Sequence, residues 1–310
     1  MKRLIFILLT IIFAFSFSLG ADGPYVVVLG VGQDAGVPQM GCSSPFCDRA
    51  WMDKSLRRMV SSIALVDPTT GNRWIFDATP DLPEQFQELK RITGDRTNRL
   101  TGIFLTHAHI GHYTGLMYLG KESMNAVRIP VWAMPRMKEF LENNGPWSQL
   151  VNIGNISIEP LKADTAVRLS PTITVTPFLV PHRDEYSETV GYRIVVSGES
   201  LLFIPDIDKW QKWDRDLKDA VRENHHLLID GTFFKDGEIP RPITEVPHPF
   251  VTETMDLLKD LPASQRSKVT FIHFNHSNPL VQGSREQIAE VRAKGFGVAE
   301  EGQIIRLGRR

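Results

Sequence analysis

Cysteine is scarce in this sequence: two residues, Cys42 and Cys47, among 310. Two thiolates cannot complete a four-ligand structural zinc site without help. In MGCSSPFCDRAW they can close a short loop as a disulfide if the chain is exported, or remain free thiols. An excess of either charge is also missing, with 35 Lys+Arg against 36 Asp+Glu. That excludes a polyanion binder by bulk charge, and no nucleic-acid partner is expected. The absence of a low-complexity tract excludes disorder, and the absence of an internal period excludes a repeat array. No linker-like stretch divides the chain, so a single domain over residues 22–310 is expected.

One long apolar run is present. Residues 4–15 read LIFILLTIIFAF, behind Met1, Lys2 and Arg3 and ahead of Ser16, Ser18, Gly20 and Ala21. A short basic start, an apolar stretch and small residues form the pattern of a secretory signal peptide over residues 1–21. The run is well short of the ~20 residues that a membrane span needs, and no later run is long enough. A periplasmic or secreted protein follows, with no membrane span once the leader is cleaved.

The remainder alternates strand and helix signals. YVVVLG (25–30) reads as a strand covered on both faces, running into the Gly-rich loop VGQDAG (31–36). A dinucleotide-binding reading of those glycines fails because Val37-Pro38, not a helix, follows. A turn that needs glycine dihedrals is the simpler account. Residues 61–79 read as a hairpin, 80–92 as a helix opened by proline, and 100–120 as strand, histidine turn and helix. Residues 150–204 are rich in short strands, helices and strands alternate from 214 to 295, and a strand pair closes the chain at 297–308. Two sheets packed face to face with helices outside is the simplest arrangement.

The chemistry concentrates in THAHIGHYTGL, where three of the nine histidines, His107, His109 and His112, fall within six positions. In an extended segment i and i+2 point to the same side, so His107 and His109 can converge, and His112 can face back from the first helical turn. Three neutral imidazoles in one turn suit zinc or a similar transition metal. Asp77 in WIFDAT, His182 in LVPHRDE, Asp206 in LLFIPDID and His273 in VTFIHFNH each follow or end an apolar strand. Alone, each reads equally as a cap or a core residue.

Together these motifs resemble the metallo-β-lactamase superfamily, and within it the pyrroloquinoline quinone biosynthesis B family. The carrying segments are GQDAGVPQMGC (32–42), VPHRDEYSETVGY (180–192), IPDID (204–208), DGTFF (230–234) and FNHSNP (274–279). The resemblance implies an α+β fold, the four-layer αββα sandwich of two mixed sheets. It implies metal ligands His107, His109, His112, His182, Asp206 and His273, with Asp206 bridging and Asp77 bracing the histidine turn. The family's aspartate in that turn is Gly111 here. A second site would then hold only His112, Asp206 and His273, giving one tight and one weak or variable metal; Asp184, Glu185 or His276 would be substitutes. Relatives carry a further cysteine in a structural zinc site; no third cysteine lies between Cys42 and Cys47.

Asp230 in LLIDGTFF and His248 in EVPHPFVTE are similar in placement to an acid–histidine pair of the tRNA 3′-processing branch. They would protonate a leaving group, unless His248 merely caps the following helix. The expected activity is metal-dependent hydrolysis of a small ester, lactam or phosphodiester, with Asp206, Asp230 and His248 catalytic. Zinc is the expected metal, iron or manganese the alternatives. A metal-dependent oxidoreductase of quinone-cofactor metabolism and a non-catalytic binding protein are the rival readings.

Overall fold

A computed structural model describes residues 23–242 and 245–308. The signal-peptide reading of residues 1–21 lies outside them. Strand β1 (Tyr25–Gly30) shows why the fold is layered. Val26 and Val28 join one core cluster, Val27 and Leu29 another. Successive side chains of a strand point to opposite faces, so a run that is apolar at every position must be covered twice.

The first half continues through α1 (Pro45–Met52), β2 (Ser62–Asp67), β3 (Asn72–Phe76), α2 (Leu82–Thr93), β4 (Gly102–Phe104), α3 (Ile110–Tyr113), β5 (Ile129–Ala133), α4 (Pro135–Asn143), α5 (Trp147–Asn152) and β6 (Ile156–Pro160). The second half contains β7 (Val167–Arg168), β8 (Ile173–Leu179), β9 (Val190–Val196), β10 (Glu199–Ile204), α6 (Leu217–Glu223), β11 (His226–Asp230), α7 (Val251–Leu257), α8 (Ala263–Arg266), β12 (Val269–Ile272), α9 (Arg285–Ala293), β13 (Gly297–Val298) and β14 (Ile304–Arg306). Two seven-stranded mixed sheets result, ordered β14-β1-β2-β3-β4-β5-β6 and β13-β12-β11-β10-β9-β8-β7. This is the expected αββα sandwich.

Between the sheets Phe76 stacks on Phe104 at 5.0 Å, and Phe104 on Trp132 at 4.4 Å. Tyr192 from the opposite sheet meets Phe76 and Phe104 edge-on. Each such pair contributes about 0.5–1.5 kcal/mol beyond its buried area. This layer lies directly behind the loops that follow β3 and β4, so it fixes where those loops start.

Strand direction positions the site. β3 to β6 are parallel, as are β10 to β13. β1 runs with β3 and β8 runs with β10, because each is separated from it by one antiparallel strand. The carboxyl ends of these strands release the segments that carry Asp34, Asp77, His107, His182, Asp206 and His273. Ligands bind at this end of parallel sheets because the connecting loops gather there.

Two local expectations change. The closing strand pair is not a pair: β13 joins β12 and β14 joins β1, so the chain crosses between the sheets after Val298. Strands of two and three residues carry too little periodicity to show which sheet they join. The helix after the histidines is only α3, followed by a 3₁₀ segment at Thr114–Leu119. Among the described residues, no helix is long and apolar enough to cross a membrane.

Candidate metal centre

β4 ends at Phe104, and after a bend at Ala108 the chain reaches His109, which sits at the N-cap of α3 with φ −92° and ψ 146°. His107 and His109 turn to the same side. His107 Nε2 lies 2.9 Å from His109 Nδ1, and His182 Nε2 lies 3.2 Å from the same atom. Asp206 Oδ2 completes the group, 3.5 Å from His107 Nε2 and 3.2 Å from His182 Nε2. These four residues can each turn one donor atom to a common point, the donors lying within 4.8 Å of one another.

A second group adjoins it: Asp34, His112, Asp206 and His273. The expected substitutes for the missing turn aspartate do not reach it. Asp184 accepts from Thr189 Oγ1 at 2.9 Å, Glu185 contacts His109 Nε2 at 3.1 Å, and His276 lies by the cysteines. A carboxylate of the Gly-rich loop after β1 does reach it, with Asp34 Oδ1 3.2 Å from His112 Nε2 and 3.9 Å from His273 Nε2. Asp34 Oδ1, His112 Nε2, Asp206 Oδ1 and His273 Nε2 are all buried and, although some lie close to one another, none makes a hydrogen bond of proper geometry. An orphaned buried polar atom is costly and rare. Four at one point, all of metal-ligating type, fit a bound cation.

The other ring nitrogen of each candidate ligand histidine is held, that of His109 by Glu185 as above. His107 Nδ1 meets Thr106 Oγ1 at 2.9 Å, His182 Nδ1 meets Asp208 Oδ1 at 3.2 Å, and His273 Nδ1 meets Thr232 Oγ1 at 3.0 Å. His112 Nδ1 lies 2.7 Å from Asp77 Oδ2, while Asp77 Oδ1 accepts from the Thr106 amide at 2.8 Å. Such outer contacts fix which nitrogen faces a metal. Asp77 and His273 have φ of 69° and 66°. Left-handed backbone at a non-glycine residue costs on the order of 1–3 kcal/mol and survives where the surroundings impose it.

The electrostatics agree with a cation site. Burial pulls His107 well below the usual imidazole range. Burial also opposes charge on His112 and His182, but the carboxylates beside them prevail. Asp77 and Asp34 push His112 up to about 10, and Asp206 and Asp208 push His182 up to about 9. Burial works against the Asp206 carboxylate, and His182 and His248 outweigh it, holding it well below its ordinary range. The buried carboxylates thus draw positive charge to this point.

Asp206, Asp230 and His248 form a third group. His248 Nδ1 is 2.9 Å from Asp230 Oδ2 and 3.2 Å from Asp206 Oδ1. Asp230 is already committed: Oδ1 accepts from the Thr232 amide at 2.8 Å, and Oδ2 from the Ile207 amide at 3.1 Å. That suits it to orient His248 rather than to ligate. His248 is not the cap of α7; the N-cap is Phe250, whose amide donates to Glu253 at 2.9 Å. His248, Asp34, Asp208, Phe233, Arg183 and Arg241 line a cleft of about 800 Å³ beside the donor groups.

Cys42 and Cys47 form a disulfide with Cα atoms 6.0 Å apart, which decides between the two states the sequence left open. Pro45 starts α1, and Ser44 Oγ caps it by accepting from the Cys47 amide at 3.2 Å. Trp210 and Trp213 are a packing pair, with ring centroids 5.9 Å apart. Sequence reasoning missed Asp34, Thr232 and Asp208. None of the three carried a sequence signal of its role; Asp34 lies in the Gly-rich loop after β1, beyond the strand end.

A family model described as the beta-lactamase superfamily domain matches residues 72–274. The chain belongs to the metallo-β-lactamase superfamily. Within it, the chain is similar to coenzyme PQQ synthesis protein B. The protein of Methylorubrum extorquens (strain PA1) is 25% identical over 91% of this chain and 100% of its own length. That of Pseudomonas putida (strain W619) is 28% identical, with 91% and 100% covered. The crystal structure of Zn(2+)-bound PqqB from Methylobacterium extorquens superposes with TM-score 0.76 at 25% identity, covering 91% of this chain and 100% of that one. A diphosphatase from the PhnP family shares the fold, with TM-score 0.64 at 21% identity over 91% and 96% of the two chains.

Proposed function

We propose that this protein is an exported metal-dependent hydrolase of a small ester, lactam or phosphodiester. The observation that carries the reading is the convergence of orphaned buried donor atoms beside the His248–Asp230 pair. His107, His109, His182 and Asp206 would hold one metal; His112, His273 and Asp206, beside Asp34, would hold a second. Zinc suits the imidazole-rich set, and iron or manganese are the alternatives. When bound, such a metal supplies a Lewis acid and makes water acidic enough to attack at neutral pH. Asp230 occupies Nδ1 of His248, so Nε2 is the ring atom left to give a proton to a departing group. The cleft volume of about 800 Å³ is within the range of small-molecule sites.

A panel of chromogenic esters, lactams and phosphodiesters, with and without added zinc, manganese and iron, tests the reading. Turnover that disappears with a chelator and returns with one metal supports it. Full metal occupancy with no turnover across the panel would favour a binding role. A second reading, an oxidoreductase in quinone-cofactor metabolism, is favoured by the similarity to coenzyme PQQ synthesis protein B. Iron as the native metal, with oxygen consumed, would select it.

Export is supported by the pattern of residues 1–21 and by the disulfide, which persists in oxidising compartments. N-terminal sequencing of the native protein should start after Gly20 or Ala21; an intact leader on cytoplasmic protein refutes it.

A further inference from the structure

We propose that the missing ligand of the histidine turn has moved to the loop after β1: Asp34 serves the second metal, and Gly111 is glycine because Asp34 occupies its space. The inference rests on the metal-site reading above. A Cβ placed on Gly111 would lie 2.4 Å from Asp34 Cα and 2.7 Å from Asp34 Oδ1. Real Cβ atoms do not approach backbone so closely, so no side chain fits at 111 while Asp34 is where it is. The two positions are therefore alternatives: a carboxylate from the helix turn or one from the β1 loop, never both.

The loop is built to hold its aspartate still. The amides of Val31 and Gly32 donate to Met59 O at 3.0 and 2.8 Å, from the side of the first sheet. The Gln33 amide donates to Phe274 O at 2.8 Å, and the Phe274 amide to Val31 O at 2.7 Å, from the side of the second. Gly36, with φ 68°, turns the chain away immediately afterwards. Asp34 is thus clamped between the two sheets, one residue from Gln33 and three from Val31. Phe274, which pairs with the loop, directly follows His273. The clamp therefore joins Asp34 to its partner ligand in backbone register. Donor set and clamp give the second group two imidazoles and two carboxylates, a complete four-ligand set.

The test is metal content and affinity, read by elemental analysis after dialysis and by competition with a chromogenic chelator on the full mature chain. Wild type should hold two equivalents. Asp34→Ala and Asp34→Asn should keep one and bind the second at least tenfold more weakly. Gly111→Asp alone, with Asp34 in place, should also lose the second. The exchange Asp34→Gly with Gly111→Asp should recover more of the second equivalent than Asp34→Ala retains. Thermal unfolding of each variant identifies the folded ones, and Asp34→Asn, which preserves size, stands in if the alanine variant does not fold. Wild-type affinity for two equivalents in either Asp34 variant overturns the inference, as does an exchange variant no better than Asp34→Ala. Wild type that binds no metal refutes the underlying hydrolase reading instead.

Discussion

The two donor groups share Asp206 but are built in different ways. In the first, His107 leans on buried Thr106, but the outer nitrogens of His109 and His182 lean on Glu185 and Asp208, from the loops after β8 and β10. In the second, His112 and His273 lean on Asp77 and Thr232, which are fully buried at strand ends. Asp77 and His273 themselves adopt left-handed backbone. The difference teaches that the second group is set by the packing of the sandwich, whereas the first takes two of its three imidazole braces from loops. A buried brace has no water to replace it, so its loss should cost stability as well as metal.

The shared residue gives the largest effect. Asp206→Ala removes a donor from both groups and leaves His107, His182 and His248 facing one another without their carboxylate. Both metal equivalents should be lost, and any hydrolytic activity should fall to background. Elemental analysis checks it: retention of one tight equivalent would show that the groups are not joined through Asp206.

Next, Asp77→Ala should separate the groups. It removes the partner of His112 Nδ1 and the acceptor of the Thr106 amide and hydroxyl, all buried. Breaking a buried charged pair from one side costs about 3–5 kcal/mol, read by urea unfolding. Glu185→Ala, on the exposed side of the first group, should leave stability within about 0.5 kcal/mol and weaken only the first metal, by about tenfold. Equal losses of stability in the two variants would erase the contrast between a packed and a loop-built group.

His248→Ala lies outside both groups. It should keep both metals and lower turnover by roughly 10²–10⁴-fold. The loss should be smaller for substrates whose leaving group departs without a proton. A uniform loss across leaving groups would mean that His248 only positions Asp206.

Legibility followed contiguity. His107, His109 and His112 lie in one turn, so their spacing alone points to a metal, and His182, Asp206 and His273 are marked by ending apolar strands. The layered fold was readable from runs such as Val26 to Leu29, buried on both faces. Asp34 was not readable as a ligand because its role depends on a close approach between residues 77 positions apart along the chain. The glycines around it have a sufficient local reason, the turn at Gly36, which hides the other one. The sheet change after Val298 escaped for a similar reason: short strands take their partner from tertiary packing, not from pattern.

The smallest effect probes the clamp behind the second group. Met59, whose carbonyl receives the Val31 and Gly32 amides, donates its own amide to Glu301 Oε1 at 2.6 Å. Burial raises the Glu301 carboxyl to about 7 from an ordinary 4.5. A carboxyl raised by folding favours its neutral form in the native state. Its contribution is therefore complete below about 4.5 and is lost as the pH rises through about 7. Glu301→Gln keeps an acceptor for Met59 and removes the titration. Wild type should lose on the order of 1–3 kcal/mol more than Glu301→Gln between pH 4.5 and pH 8, measured as the difference between their unfolding free energies. The same variant should hold its second metal with wild-type affinity at pH 8, since the clamp survives. Parallel pH profiles for the two proteins would show that Glu301 is not charged against its surroundings, and that the loop carrying Asp34 is held by its backbone contacts alone.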